Sequence, residues 1–197
     1  MYSLFIDTHI YDIVVILFKN GKIFKKNIIE KARGSELLPC IKELTNLNDI
    51  NEIIVVNGPG SFTGIRTGIT VAKTIAYVKN IPIKTVSYLD LMDYSLNDGY
   101  NIVGLFDSSG IFVGYYNKHN SIKKYLYIKK GDLSEFIDKD NIITNVAIDY
   151  EKAYKYIKIL DNVNPKNVNP LYIKLISVEY DKKSCWRRYW FFKSISY

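Results

Sequence analysis

Cysteine and histidine are scarce, since each occurs only twice in the 197 residues. Cys40 and Cys185 lie far apart without metal-ligand spacing, and two cysteines are too few for a disulfide framework, so we expect reduced thiols. His9 and His119 stand outside any HExxH or HxxxH pattern, and no GxSxG elbow is present. The sequence therefore predicts no metal ligand and no catalytic residue, unless distant parts of the chain assemble a site in space.

Long apolar runs are absent too, because none approaches the roughly 18 to 20 residues that a membrane span requires. The opening MYSLFIDTHI lacks a basic stretch followed by a long apolar core. A hydrophobic content of 48% without a long low-complexity tract predicts a folded chain, as one domain or two small lobes. We expect a cytoplasmic protein.

Positive charge is in excess, with a formal net charge of +7. Clustered cations favour nucleic acid as a partner because they release counterions from phosphate backbones. The clusters are small, however, and the chain is rich in the Ile, Asn, Tyr and Lys that an AT-rich genome produces. Solvated lysines are therefore the favoured interpretation. Adjacent pairs such as Lys25-Lys26, Lys123-Lys124 and Lys129-Lys130 are spread along the chain.

The first half of the chain predicts the element order βββαβα. Asn20-Gly21 lies between two β-rich runs and is the strongest short-range hairpin signal, so three antiparallel strands are expected. A helix capped by Ser35 follows at residues 35–47, and its apolar positions recur at helical spacing. A short strand, the glycine-rich turn and a helix at residues 63–79 complete the unit.

The second half predicts a shorter unit. YNIVGLFDSSGIFVGYYNK resembles the opening in form, with Asp107 ending one apolar run and Gly110 beginning the turn into the next. A helix at DLSEFIDK, a strand at NVAIDY and a helix near residues 151–160 follow. The tail SCWRRYWFFKSISY suits a docking or membrane-surface segment, or a poorly ordered extension. The expected divisions are a first lobe at 1–99, a shortened second lobe at 100–183 and the tail at 184–197.

The stretch GPGSFTGIRTG, residues 58–68, has the strand–turn–helix form of many phosphate-binding loops. A Walker loop would continue with Gly-Lys-Ser/Thr, but this chain continues with GIR. The dinucleotide fingerprint GxGxxG also fails, because Thr63 stands where its last glycine belongs. Backbone amides at the helix start, with Ser61, Thr63 and Arg66, can still attract an anion.

The helix after this turn has a face with almost no side-chain bulk, formed by Gly64, Gly68, Ala72 and Ala76 at four-residue spacing. A helical glycine costs up to about 1 kcal/mol relative to alanine, so two in one helix indicate that another backbone comes very close. That backbone belongs either to a partner protein or to this protein's own sheet or first helix. Spacing alone slightly favours the second alternative.

The stretch GPGSFTGIRTGITVAKTIA, with FIDT near the start and LLPCIKEL before it, resembles the TsaB (YeaZ) family. The resemblance covers roughly residues 3–110. A further short match lies in NPLYIK, at Pro170, Tyr172 and Lys174, although the family usually has arginine at the last of these positions. The most specific part is the GPGSFTG-x-R element, formed by Gly58, Pro59, Gly60, Ser61, Phe62, Thr63, Gly64 and Arg66.

The resemblance implies an α/β protein of the actin-like, sugar-kinase-like ATPase fold. It further implies a non-catalytic scaffold in the complex that makes threonylcarbamoyl-adenosine on tRNAs reading codons that start with A. The implied partners are a catalytic TsaD-like subunit, which binds the two first-lobe helices, and a TsaE-like ATPase. We expect tRNA only through the complex, no tightly bound cofactor, ATP in the complex, and a homodimer when the partner is absent. The expected partner-binding residues are Leu37, Leu38, Ile41, Gly64, Gly68, Ala72 and Ala76.

Two departures from the family lie at Arg33, where the family often has histidine, and at Ser109, where an arginine commonly follows the second-lobe aspartate. The alternative function is an independent nucleotide-binding phosphotransferase or ATPase of the same superfold. For that function, Asp7 and Thr8 at the end of the first strand would help to place metal and phosphate. Against it, LFDSSG is not a convincing second phosphate loop, and no general base is evident.

Overall fold

The structure is a computed structural model that describes residues 1–133 and 141–174. Most of the helix predicted at DLSEFIDK lies outside the described residues. So do the tail at 184–197 and Cys185. Among the described residues, no helix is both long enough and apolar enough to cross a membrane.

A five-stranded sheet forms the centre of the first half of the chain. The strand order is β3-β2-β1-β4-β5, with the first three strands antiparallel and β4 and β5 parallel to β1. Asn20 and Gly21 have φ angles of 51° and 82°, which is the left-handed geometry of a tight hairpin turn, so the predicted hairpin is confirmed. The strands are β1 (Tyr2–Asp7), β2 (Ile13–Lys19), β3 (Lys22–Ile29), β4 (Glu52–Val56) and β5 (Ile83–Val86).

Two helices, α1 (Leu37–Leu44) and α2 (Phe62–Lys79), cover one face of this sheet. Ser61 begins α2, because its side chain accepts a hydrogen bond from the Gly64 amide, and Asn80 ends it in the left-handed conformation. The Ser35 cap is wrong. Ser35 lies inside a 3₁₀ turn, Gly34–Glu36, and Glu36 closes that turn by accepting the amide of Arg33.

The opposite face is covered by α3 (Tyr88–Ser95) and α4 (Tyr150–Ile157). Ala153, Tyr154 and Ile157 of α4 pack against the strands of the first sheet, although they come from the second half of the sequence. The strand predicted at NVAIDY is wrong, because residues 145–149 form no strand and α4 begins at Tyr150, where Asp149 caps it by accepting the Lys152 amide.

A second, four-stranded sheet lies beyond α3. Its central strand β7 pairs with β6, β8 and β9, all antiparallel. The turn predicted between Asp107 and Gly110 is present, since these residues end the β6–β7 pairing. The division of the chain at residue 99 stays a prediction. The strands are β6 (Tyr100–Asp107), β7 (Gly110–Asn117), β8 (Asn120–Ser121) and β9 (Leu126–Lys129).

Candidate functional site

The glycine-rich turn is held by the loop that follows β1. The Ser61 amide donates to the His9 carbonyl oxygen at 2.6 Å. A Cβ on Gly60, whose φ is 151°, would lie within 3.0 Å of that same carbonyl group. The close approach that the glycines indicated is therefore made by this protein's own backbone.

The bare face of α2 packs against the same loop. A Cβ on Gly64 would collide with the Thr8 carbonyl oxygen, and one on Gly68 would collide with the Thr8 hydroxyl, which donates to the Gly64 carbonyl at 2.8 Å. Ala72 and Ala76 are fully buried in the sheet core. The prediction that this face meets a partner is therefore wrong, and the alternative of internal packing is what the structure shows.

Of the three expected partner-binding residues of α1, two are buried and one is exposed. Leu37 and Ile41 are fully buried in the core between the helices and the sheet, so they are not accessible to a partner. Leu38 is 39% exposed and remains on the surface. Helical spacing gave the apolar positions but could not separate a core position from a surface one.

Asp7 ends β1, and its carboxylate interacts with His9 of the same chain. Its Oδ1 accepts the His9 amide at 3.0 Å and lies 2.7 Å from His9 Nδ1. The imidazole stacks on Tyr88 with 3.6 Å between ring centroids. Burial, assisted by the Asp7 carboxylate, raises the pKa of Tyr88 to about 12. Sequence reasoning dismissed His9, although its position two residues after a strand-ending aspartate was visible.

The NPLYIK segment returns to the glycine-rich turn from the far end of the chain. The Leu171 amide donates to the Asn57 carbonyl at 2.8 Å, directly before the turn. Arg66 donates from Nε to the Tyr172 hydroxyl at 2.9 Å, and its guanidinium lies 3.7 Å from the Phe62 ring centroid. The two stretches that carry the family resemblance are therefore in direct contact.

Lys174 of the same segment reaches the second sheet, where its Nζ lies 3.3 Å from Asp107 Oδ2 and also donates to the Ser109 hydroxyl. Burial would raise the pKa of Asp107, but hydrogen bonds from Ser109 and Tyr127 and the charge of Lys174 outweigh it, so the pKa is lowered. Lys174 therefore places a cation beside Ser109, where the resemblance leads one to expect an arginine.

These residues line a cleft of about 420 Å³ between the glycine-rich turn, with the start of α2, and the second sheet. Its walls are mostly apolar, with Asp107 and Lys174 as the charged groups, so its chemistry suits binding of a ligand or chain segment. Within the described ranges, no group of three or more His, Cys, Asp or Glu side chains is placed to hold a metal ion. The lining residues are Pro59, Gly60, Phe62, Ile65, Asp107, Phe112, Leu171, Tyr172, Ile173 and Lys174.

The sheet order, the helices on both faces and the second antiparallel sheet define an α/β protein of the actin-like, sugar-kinase-like class, as predicted. Among solved structures, YeaZ from Pseudomonas aeruginosa shares this fold. The TM-score is 0.71 at 15% sequence identity, over 87% of this chain and 99% of that one.

Sequence comparison finds relatives in the TsaB family. TsaB of Bacillus subtilis is 34% identical over 47% of this chain and 43% of its own length, and TsaB of Escherichia coli is 33% identical over 47% and 42%. The matched stretch thus spans less than half of these relatives. A family model described as TsaD: tRNA N6-adenosine threonylcarbamoyltransferase matches residues 29–105. The resemblance to the TsaB family is confirmed, in sequence over the first half and in fold over most of the chain.

The contacts of Thr8 predict different outcomes at the two helical glycines. Gly64→Ala and Gly68→Ala should each lower the free energy of unfolding, by the roughly 1 to 3 kcal/mol typical of overpacking. Adding Thr8→Ala should recover part of the loss at Gly68, where the obstacle is a hydroxyl, and none at Gly64, where it is a backbone oxygen. Urea denaturation of the four variants measures this. Equal rescue at both glycines, or a Gly68→Leu variant as stable as the parent, would contradict the packing.

The contacts of Asp107 predict a pH dependence. Because its pKa is lowered from the ordinary 3.8, the stabilisation is complete above that value and disappears as the pH falls through the folded-state pKa. Asp107→Asn should therefore lower stability at neutral pH and flatten the loss of stability below about pH 4. Lys174→Gln should flatten it less, since Ser109 and Tyr127 still donate. Thermal unfolding across a pH series tests both, and identical acid profiles would refute the arrangement.

Proposed function

We propose that this protein is a non-catalytic subunit of the tRNA threonylcarbamoyladenosine machinery and supports a TsaD-like catalytic subunit. The proposal rests on the TsaB relatives, which are named as tRNA threonylcarbamoyladenosine biosynthesis proteins. One structural observation carries the non-catalytic part. The Thr8–His9 backbone fills the space at the glycine-rich turn and the start of α2, where a phosphate-binding loop would hold its ligand.

The outer faces of α1 and α2 are the surface proposed for the TsaD-like partner. On α2 this surface is a stripe of small uncharged side chains that face away from the sheet, and Leu38 of α1 is exposed on the same side of the sheet. Small side chains let a second helix approach closely, as the buried glycines do on the inner face. The stripe consists of Thr63, Thr67, Thr70 and Thr74.

The remaining partners belong to the same proposal. A TsaE-like ATPase would join the pair, ATP would bind in the complex rather than tightly to this chain, and tRNA would be modified by the complex in the cytoplasm. Without the partner, the outer faces of the two helices would be free to form a homodimer. Both assemblies would then compete for one surface.

Charge placed on this surface tests the pairing. Leu38→Asp and Thr70→Glu change exposed side chains, so both variants should fold normally, yet each should abolish co-elution with a TsaD-like subunit because the introduced carboxylate loses water in the interface. Leu126→Asp is the matched control, since Leu126 is 40% exposed on β9 of the second sheet and Leu38 is 39% exposed. The measurement is size-exclusion chromatography of mixtures, beside a melting curve of each variant.

The control should bind as the parent does. Folded helix variants that still co-elute with the TsaD-like subunit would refute this surface. Loss of pairing by Leu126→Asp to the same degree would move the interface to the second sheet.

The alternative function is a nucleotide-binding phosphotransferase of the same fold, and Asp7 is the residue that keeps it open. Asp7 lies at the end of β1, where such an enzyme needs a carboxylate, but His9 occupies its Oδ1. We expect the purified chain to show no ATP turnover above background. Robust hydrolysis that Asp7→Asn abolishes, while Asp132→Asn at an exposed site does not, would establish the enzyme instead.

A further inference from the structure

The β2–β3 hairpin carries positive charge without any acidic residue. Residues 13–29 contain Lys19, Lys22, Lys25 and Lys26 and no Asp or Glu. Strand β3 is the edge of the five-stranded sheet, and both of its faces are largely exposed. Its cations therefore reach solvent on both sides of the strand.

Aromatic rings lie between these cations. Phe24 is 50% exposed on the edge strand, and the Lys19 ammonium lies 5.4 Å from the centre of its ring. Lys26 lies 4.8 Å from the ring centre of Tyr150 at the start of α4. These contacts hold two of the lysines in place and leave their ammonium groups able to bind an anion.

Glu151 of α4 forms an ion pair with Lys22 at 2.8 Å, and the carboxylate of Asp149 also interacts with the charge of Lys22. The hydrogen bond from Lys22 is the main cause of the lowered pKa of Glu151. The charge of Lys155, one turn further along the helix, lowers this pKa further. Two carboxylates thus face five lysines, and the surface keeps a net positive charge. We call this edge of the sheet, with side chains on both sides of β3, the hairpin face; it is formed by Lys19, Lys22, Phe24, Lys25, Lys26 and Lys155.

We propose that the hairpin face binds the phosphate backbone of RNA. The choice of tRNA as the relevant RNA rests on the proposed function, whereas the contact itself rests on the charge and the aromatic side chain. The proposal departs from the expectation that this chain meets tRNA only through the complex. Cations along an extended edge, with an exposed ring on which a base can stack, match single-stranded or looped RNA. Binding is weak and independent of base sequence, in the range of about 10⁻⁴ to 10⁻⁶ M expected of phosphate contacts alone at physiological salt.

A simpler role for the lysines is protection of the edge strand, since charged side chains keep exposed edges from pairing with other chains. The two roles differ in their consequences. Edge protection requires no RNA affinity, and it predicts aggregation when the charge is removed. Phosphate binding predicts lost affinity in a variant that stays monodisperse.

The sequence offers a matched control, because Lys123-Lys124 is a second adjacent pair that also has one lysine over a tyrosine ring, Lys123 at 4.4 Å from Tyr115. Lys25→Gln/Lys26→Gln and Lys123→Gln/Lys124→Gln each remove two charges and one such ring contact. A Lys25→Arg/Lys26→Arg variant keeps the charge. The probe is a fluorescently labelled, unmodified tRNA transcript, titrated with the full chain over a range of salt concentrations.

The hairpin glutamine pair should weaken tRNA binding by about tenfold at low salt and should reduce the slope of log affinity against log salt by about 1 to 2. The arginine variant and the Lys123/Lys124 control should bind as the parent does. Equal losses from both glutamine pairs would assign the affinity to dispersed charge and overturn the proposal. Absence of tRNA binding by the parent, aggregation of the hairpin variant, or tighter binding to phosphatidylserine vesicles than to tRNA would also overturn it.

Failure of this inference is distinguishable from failure of the proposed function. The tRNA titration uses the isolated chain, whereas the co-elution assay reports on the outer faces of helices α1 and α2. A hairpin variant that loses RNA affinity should still pair with the TsaD-like subunit, and Leu38→Asp should still bind RNA.

Discussion

The arrangement of the first sheet and α2 depends on one close approach, between the loop after β1 and the amino-terminal half of α2. Three glycines make it possible, because a Cβ at Gly60, Gly64 or Gly68 would collide with His9 or Thr8. The loop also supplies hydrogen-bond partners to the glycine-rich turn and to α2. The His9 carbonyl accepts the Ser61 amide, and the Thr8 hydroxyl donates to the Gly64 carbonyl. In the same loop, Asp7 lies beside His9, and the glycine-rich turn packs against the backbone of Thr8 and His9.

This contact also explains why a phosphate-loop pattern and a helix-packing pattern overlap in one stretch of sequence. Both arrangements need glycine, because both bring a backbone or a ligand very near the start of a helix. They differ in what fills the space. Here a backbone carbonyl fills it, and the exposed outer side of α2 is left for other contacts.

Local signals predicted the local structure well. Asn20-Gly21 predicted the hairpin, and the helix predicted at residues 63–79 matches α2, because turn and helix signals depend on neighbours in sequence. The caps at Ser61 and Asn80 were seen only in the structure. The βββαβα order followed from these elements, whereas the fold class followed from the resemblance to the TsaB family. The Ser35 cap and the NVAIDY strand failed because competing caps at Glu36 and Asp149 decided those segments.

Long-range features were not accessible to the same reasoning. Periodicity placed Gly64, Gly68, Ala72 and Ala76 on one face but could not say what the face meets. The pairs Arg66 with Tyr172 and Asp107 with Lys174 join residues far apart in sequence, and no spacing rule indicates them. The inward side of α1 was likewise indistinguishable from its outward side, because Leu37 and Leu38 are the same residue type.

The core on both faces of the first sheet is completed by residues from the second half of the chain, and this affects folding during synthesis. Val168 is buried in the core under α2, and α4 completes the core on the other face of the same sheet. The amino-terminal sheet therefore keeps apolar surface uncovered until about residue 168 has left the ribosome. Contacts of such long sequence separation are slow to form. A nascent chain that stalls after β5 would expose the surfaces that α4 and residue 168 later cover, which is the state in which chaperones bind.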